Sequence, residues 1–181
     1  YPVIRVQGDA DVTIKNGTIE NSDYVFVLGA SDGTSAGNLT IESGTYTGSI
    51  TVASVTKGTL TIKGGEFKVT ESEYGATYLL NCIDANYKDG SAKIVVTGGS
   101  FYGFNPENNA AEGEGTSFLS GEYMAVEEPV NVFTVKEWDY VIRDKKDLLM
   151  FAEMANAGNT FSGKTVTLAA DIDLEGAVWT P

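Results

Sequence analysis

Four stretches of the chain superimpose without gaps: Val12-Thr13-Ile14-Lys15-Asn16-Gly17-Thr18-Ile19, Leu39-Thr40-Ile41-Glu42-Ser43-Gly44-Thr45-Tyr46, Leu60-Thr61-Ile62-Lys63-Gly64-Gly65-Glu66-Phe67 and Ile94-Val95-Val96-Thr97-Gly98-Gly99-Ser100-Phe101. In each, the first and third residues are aliphatic, and the residue between them, Thr in three of the four, points to the opposite face, as the two-residue period of a strand requires. The sixth residue is always glycine (Gly17, Gly44, Gly65, Gly99), which suits a corner of positive φ. Two residues later Ile19, Tyr46, Phe67 or Phe101 is placed to turn inward as a plug below that corner. Val25-Phe26-Val27, Ile50-Thr51-Val52 and Tyr78 to Ile83 read as a further strand of each unit, and Val3-Ile4-Arg5-Val6 as the same element of a shortened first unit.

The glycines are 27, 21 and 34 residues apart. Two or three short strands in about 20 to 30 residues make one coil of a solenoid, with unequal spacing absorbed by loops. An antiparallel sandwich also uses many short strands, but gives like residues no reason to recur at like positions. The expected fold is therefore all-β: a right-handed single-stranded parallel β-helix over residues 1–135. Tyr123 to Val126 and Val132 to Val135 form its closing, hairpin-like element, reached through the acidic, glycine-rich loop Ala110 to Gly115. Residues 136–181 read as a second segment opened by the one short helix, with Asp144 as N-cap, Leu148, Phe151, Ala152 and Ala155 on its apolar face and Gly158 as its stop. Strand pattern returns at Phe161 to Leu168 and Asp171 to Leu174, and Trp138 and Trp179 are expected to pack on the helix.

Composition narrows the function. Of 181 residues, 25 are acidic and 12 basic, a net charge of −13, and the basic set is ten scattered Lys plus Arg5 and Arg143. Nucleic acid and anionic membranes are bound by clustered cations, so neither is an expected partner. There is no His, which removes Ser-His and Cys-His nucleophile pairs and imidazole metal ligands. The single Cys82 forms no internal disulfide and, in an apolar stretch, reads as a buried small hydrophobe. No apolar run is long enough to cross a bilayer, and Tyr1 to Arg5 carry no signal-peptide pattern.

Lys145 to Pro181, with Leu148-Leu149-Met150-Phe151-Ala152, Asn156-Ala157-Gly158, Phe161-Ser162-Gly163-Lys164-Thr165-Val166 and Asp171-Ile172-Asp173-Leu174, resembles the entry segment of pectate-lyase-like β-helix surface proteins carrying GLUG repeats. The glycine-rich motif that follows in such proteins is missing, so a fragment is expected. Residues 12–135, notably Gly98 to Pro106 and Phe118 to Val126, are similar to β-helical domains of secreted gut-bacterial proteins and of fibre-type virion proteins of their phages. That resemblance implies display on a cell or virion surface and usually no assigned activity, and it carries over no catalytic residue; no cofactor is expected. The expected role is a non-catalytic extracellular spacer or adhesive module, binding glycans or surface proteins as a monomer. The alternatives are a trimeric phage fibre or tailspike-like receptor-binding domain, and a polysaccharide lyase or glycoside hydrolase.

Candidate site residues are few. Tyr74, Tyr87, Tyr102 and Phe104 lie in loop-like sequence and are the aromatics best placed to stack on sugars, against the plainer reading of local packing. Asp84, Asn86 and Asp89 begin like a calcium loop, but Lys88 interrupts the ligand spacing, which favours a polar turn. Asp171 and Asp173 fall on one strand face, where bonding to turn backbones competes with metal binding.

Overall fold

The computed structural model describes residues 1–70, 78–109, 111–113 and 115–176. It is mostly strand, with two helices, and its larger sheets are built on parallel pairings. The chain divides into two compact units, Tyr1–Lys136 and Glu137–Pro181.

In the first unit the strands are β1 (Ile4–Val6), β2 (Ala10–Ile14), β3 (Thr18–Asn21), β4 (Tyr24–Leu28), β5 (Gly37–Ile41), β6 (Thr45–Gly48), β7 (Thr51–Val55), β8 (Gly58–Ile62), β9 (Glu66–Val69), β10 (Leu80–Cys82), β11 (Ala92–Val96), β12 (Gly99–Tyr102), β13 (Tyr123–Glu127) and β14 (Val132–Glu137). They are dealt to three sheets in rotation. The first sheet has the order β1-β4-β7-β10, the second β2-β5-β8-β11, and the third β3-β6-β9-β12 followed by β14 and β13.

Register follows the repeat without offset. Val12, Leu39, Leu60 and Ile94 stand over one another in the second sheet, as do Ile14, Ile41, Ile62 and Val96. Ile19, Tyr46, Phe67 and Phe101 do the same in the third. The plug residues thus sit on strands of their own, not on a corner after a strand. Side chains of like kind thus stack from one strand to the next. Tyr46, Phe67 and Phe101 are wholly buried, with successive ring centroids 5.4 and 5.1 Å apart, and Phe26 meets Tyr46 edge-on at 5.2 Å. The Tyr46 hydroxyl donates to the Ser43 carbonyl at 2.7 Å, so its polar end is satisfied.

The repeat glycines have positive φ: +159° at Gly17, +125° at Gly44, +113° at Gly65 and +103° at Gly99. They form a column in which a β-carbon on Gly65 or Gly99 would lie 3.0 Å from the carbonyl oxygen of the glycine before it. A side chain there would meet both this tight contact and a backbone conformation that it resists.

Three devices close the sheets at the β10, β11 and β12 end. Against β12, β14 pairs antiparallel, Phe101 opposite Phe133. The Val96 N–H of β11 donates to the Phe118 carbonyl at 2.8 Å, and Val96 bridges Leu119. On β10, the Cys82 N–H donates to the Glu112 carboxylate at 2.6 Å. The acidic loop is therefore a capping element: Glu107 likewise accepts from the Ala125 N–H at 3.0 Å, and Asn109 and Thr116 pair to hold the loop shut.

Two local expectations need correction. Asp84–Lys88 is a short helix, α1, not a turn, so the C-terminal helix is not the only one. The stretch from Phe161 to Leu174 holds a single short strand, β16 (Thr167–Leu168), parallel to β15 (Val141–Ile142), and Asp171 to Leu174 is not a strand.

In the second unit, α2 (Lys145–Asn156) starts where expected. The Asp144 carboxylate accepts from the Asp147 N–H at 2.9 Å, and Asp147 in turn accepts from the Arg143 N–H at 3.0 Å. At the other end the Asn159 and Gly158 N–H groups donate to Met154 and Ala155 carbonyls, a Schellman closure with Gly158 at φ +95°. Met154 and Ala152 are buried while Ala155 is exposed, so the packed face is rotated from the expected one. Trp138 is buried with its ring 6.3 Å from Phe151; Trp179 lies outside the described residues. Asp144→Ala should weaken α2 by about 1 kcal/mol, read as faster amide exchange within α2 and none in β8; unchanged α2 protection would refute the cap.

Candidate functional site

A groove of about 720 Å³ runs over the first sheet. Its floor includes Arg5, Val27 and Ser54, which are in register on β1, β4 and β7. Arg5 and Ser54 reach the surface and Val27 between them is 9% exposed, while the neighbouring Phe26 and Ala53 are buried in the core. Tyr24 and Asp32 line it, as do Thr56 and Asn86.

The rim is pinned by hydrogen bonds from side chains. The Lys57 ammonium donates to the Gly33 carbonyl at 3.1 Å, tying down the loop between β4 and β5. The Asn86 amide donates to the Thr56 carbonyl at 2.5 Å, tying α1 to the end of β7. Within the loop, Asp32 accepts from the Thr34 hydroxyl at 2.7 Å and the Thr34 N–H at 3.0 Å, and these bonds hold its carboxyl below the ordinary value. It stays ionised. The Arg5 guanidinium lies 3.4 Å from the Ser31 hydroxyl and 3.5 Å from the Gly29 carbonyl, and the groove also takes in Asp32 and the ion pair of the Tyr1 ammonium with Asp23, so both signs of charge stand among its hydroxyl groups. Such a surface can bind a polar ligand through hydrogen bonds, with the half-buried Tyr24 in its lining.

No family model matches this chain, and neither does any curated protein or solved structure compared with it.

Of the sequence-derived aromatic candidates, Phe104 and Tyr87 both pack on one ring, that of Phe118. Phe104 is only 8% exposed and stacks on Phe118 at 6.3 Å, which makes it a core residue and not a free platform. Tyr87 on α1 is half-buried against the edge of the same Phe118 ring, its hydroxyl pushed to higher pKa by burial, with the charge of Glu112 adding to it. Tyr102, at the end of β12, is 40% exposed. Tyr74 lies outside the described residues.

Of the carboxylate candidates, Asp89 and Asp173 are engaged locally. Asp89 accepts from the Ser91 N–H at 2.8 Å, and its bonding with Ser91 lowers its pKa. The Asn86 amide nitrogen is spent on Thr56, and Asp84 sits in the first turn of α1. Asp173 accepts from the Glu175 N–H at 2.8 Å in a stretch without strand structure, so Asp171 and Asp173 share no strand face. Among the described residues no three carboxylates or thiols converge as a metal site. Cys82 is fully buried, and burial together with Glu112 pushes its thiol up to about 12, so it is unreactive near neutrality.

Sequence reading missed the groove. Its signal was present in the alignment of Val3 to Val6 with Val25 to Val27, which sets Arg5 beside Val27, but a single cation in an isolated strand carries no site until the neighbouring loops are placed.

Proposed function

We propose that the first unit is a right-handed parallel β-helix serving as a rigid, non-catalytic module on a bacterial surface, and that the groove over its first sheet is its binding face for glycans or surface proteins. The observation that supports this reading is the cyclic strand order, in which the chain returns to each sheet at every third strand and repeats the same register. That order is what a winding coil produces, and crossovers between parallel strands are right-handed in about 98% of cases. Interior strands are paired on both sides, which favours a stiff rod with loops projecting sideways. A pinned rim lowers the ordering cost of binding. The charge of −13 suits a solvated, non-adhering exterior apart from the groove. Extracellular placement rests on the resemblance to secreted β-helix proteins.

Immobilised protein is expected to retain members of a glycan and host-surface array without generating unsaturated or reducing ends. Tyr24→Ala should weaken that binding roughly tenfold, about 1.4 kcal/mol, and Tyr102→Ala, outside the groove, should leave it unchanged. Absence of any retained ligand, or equal binding by the Tyr24 variant, would defeat the assignment of the groove.

A further inference from the structure

We propose that Glu112 is a proton-controlled latch on the edge of β10, closed while its carboxyl is protonated and released as the pH rises. β10 is the outermost strand of the first sheet, so the Cys82 N–H has no strand beyond it to accept its hydrogen bond. Glu112 supplies the acceptor: one oxygen, Oε1, lies 2.6 Å from the Cys82 nitrogen. The other, Oε2, is buried and meets no hydrogen-bond partner among the described residues. A carboxylate whose buried oxygen finds no partner among the described residues carries a desolvation cost, whereas a neutral carboxyl keeps the Cys82 bond at a lower one.

The groups that face it reinforce the same direction. From β10 comes the Cys82 thiol, neutral because its pKa stands at about 12. From α1 come Tyr87, also raised by burial, and Asp84, a like charge. Burial raises the Glu112 pKa most, the Cys82 N–H opposes it, and Asp84 raises it further, for a net upward shift. A group with a raised pKa in the closed form contributes its full stabilisation below its ordinary value and loses it as the pH climbs through the raised one. The loop carrying Glu112 is itself held by the Asn109 amide, which accepts from the Glu112 N–H at 3.0 Å and donates to the Thr116 carbonyl at 2.9 Å. Release of the Glu112 side chain leaves the Cys82 N–H on the edge of β10 without its acceptor.

Amide exchange followed by NMR, corrected for intrinsic chemistry, tests the latch on the intact chain. Protection of the Cys82 amide should fall several-fold as the pH is raised from about 4 to about 8, while that of Leu60, in the interior strand β8, holds constant. Glu112→Gln keeps the acceptor without the charge and should retain the acid-level protection throughout. Glu112→Ala should lose protection at every pH. The proposal is overturned if Glu112→Gln follows the wild-type pH profile, or if Leu60 protection falls together with that of Cys82.

Discussion

Phe67→Ala should destabilise the first unit by about 3–5 kcal/mol, the range for removing a buried aromatic ring from a core that does not collapse around the space. Phe67 is wholly buried and is the middle of the aromatic column, with Tyr46 5.4 Å on one side and Phe101 5.1 Å on the other. The void would not be filled by relaxation, because strand β9 is hydrogen-bonded in register to β6 and β12 and holds its neighbours at a fixed separation. Two ring-ring contacts are also lost, each worth about 0.5–1.5 kcal/mol beyond area burial. The measurement is the urea midpoint of the loss of far-ultraviolet strand signal, with Tyr102→Ala as the comparator. Tyr102 is 40% exposed on the neighbouring strand, and its loss should cost under about 1 kcal/mol. Equal effects from the two substitutions would mean that the column is not the core.

Gly58→Ala should be comparably damaging although it adds a single methyl group. A β-carbon there would lie 2.2 Å from the Gly37 carbonyl oxygen and 2.8 Å from the Gly37 nitrogen, both backbone atoms fixed in the next strand. The residue also has φ +108°, a conformation that side chains resist. We expect a loss of about 2–6 kcal/mol, combining about 1–3 for backbone strain with about 1–3 for overpacking. Gly121→Ala, where a β-carbon would have open space, should change stability by less than about 0.5 kcal/mol. Paired urea titrations check the contrast; a tolerated Gly58→Ala would show that β5 and β8 do not approach as closely as described.

These two positions mark how far the fold was legible from residues alone. The column of Phe67 was visible, since Leu-Thr-Ile followed by glycine and a large side chain recurs without gaps and each copy falls in register on the last. The column of Gly58 was not. Ala10, Gly37, Gly58 and Ala92 stand two residues ahead of the four repeats and share their alignment, but small residues at those positions do not reveal how closely the backbones of β5 and β8 approach. The strands β3, β6 and β9 were read as plugs for a related reason: Thr18–Asn21, Thr45–Gly48 and Glu66–Val69 are short and half polar, and their extended form comes from pairing with the strands above and below, not from their own composition. The five-residue helix α1 has too few turns to leave a periodic trace.

The candidate site was less legible than the core. Aromatics in loop-like sequence drew attention to Phe104 and Tyr87, yet both pack on Phe118 under the cap. The groove is made by the row Arg5, Val27 and Ser54 together with loops pinned by Lys57 and Asn86, and each of these contacts joins residues more than 20 apart in sequence. Glu112 was seen only as part of an acidic, glycine-rich loop. Its role on β10 depends on the loop folding back across the end of the sheet.

The stacked, parallel arrangement of the four repeats is tested most directly by inter-strand proton contacts in the NMR spectrum of the chain. The account predicts in-register contacts of the parallel kind between Leu39 and Leu60, between Tyr46 and Phe67, and between Phe67 and Phe101, without close Hα–Hα pairs across those strands. Strong Hα–Hα contacts between them, the mark of an antiparallel sandwich, or a shifted register that set Tyr46 opposite Lys68, would contradict it.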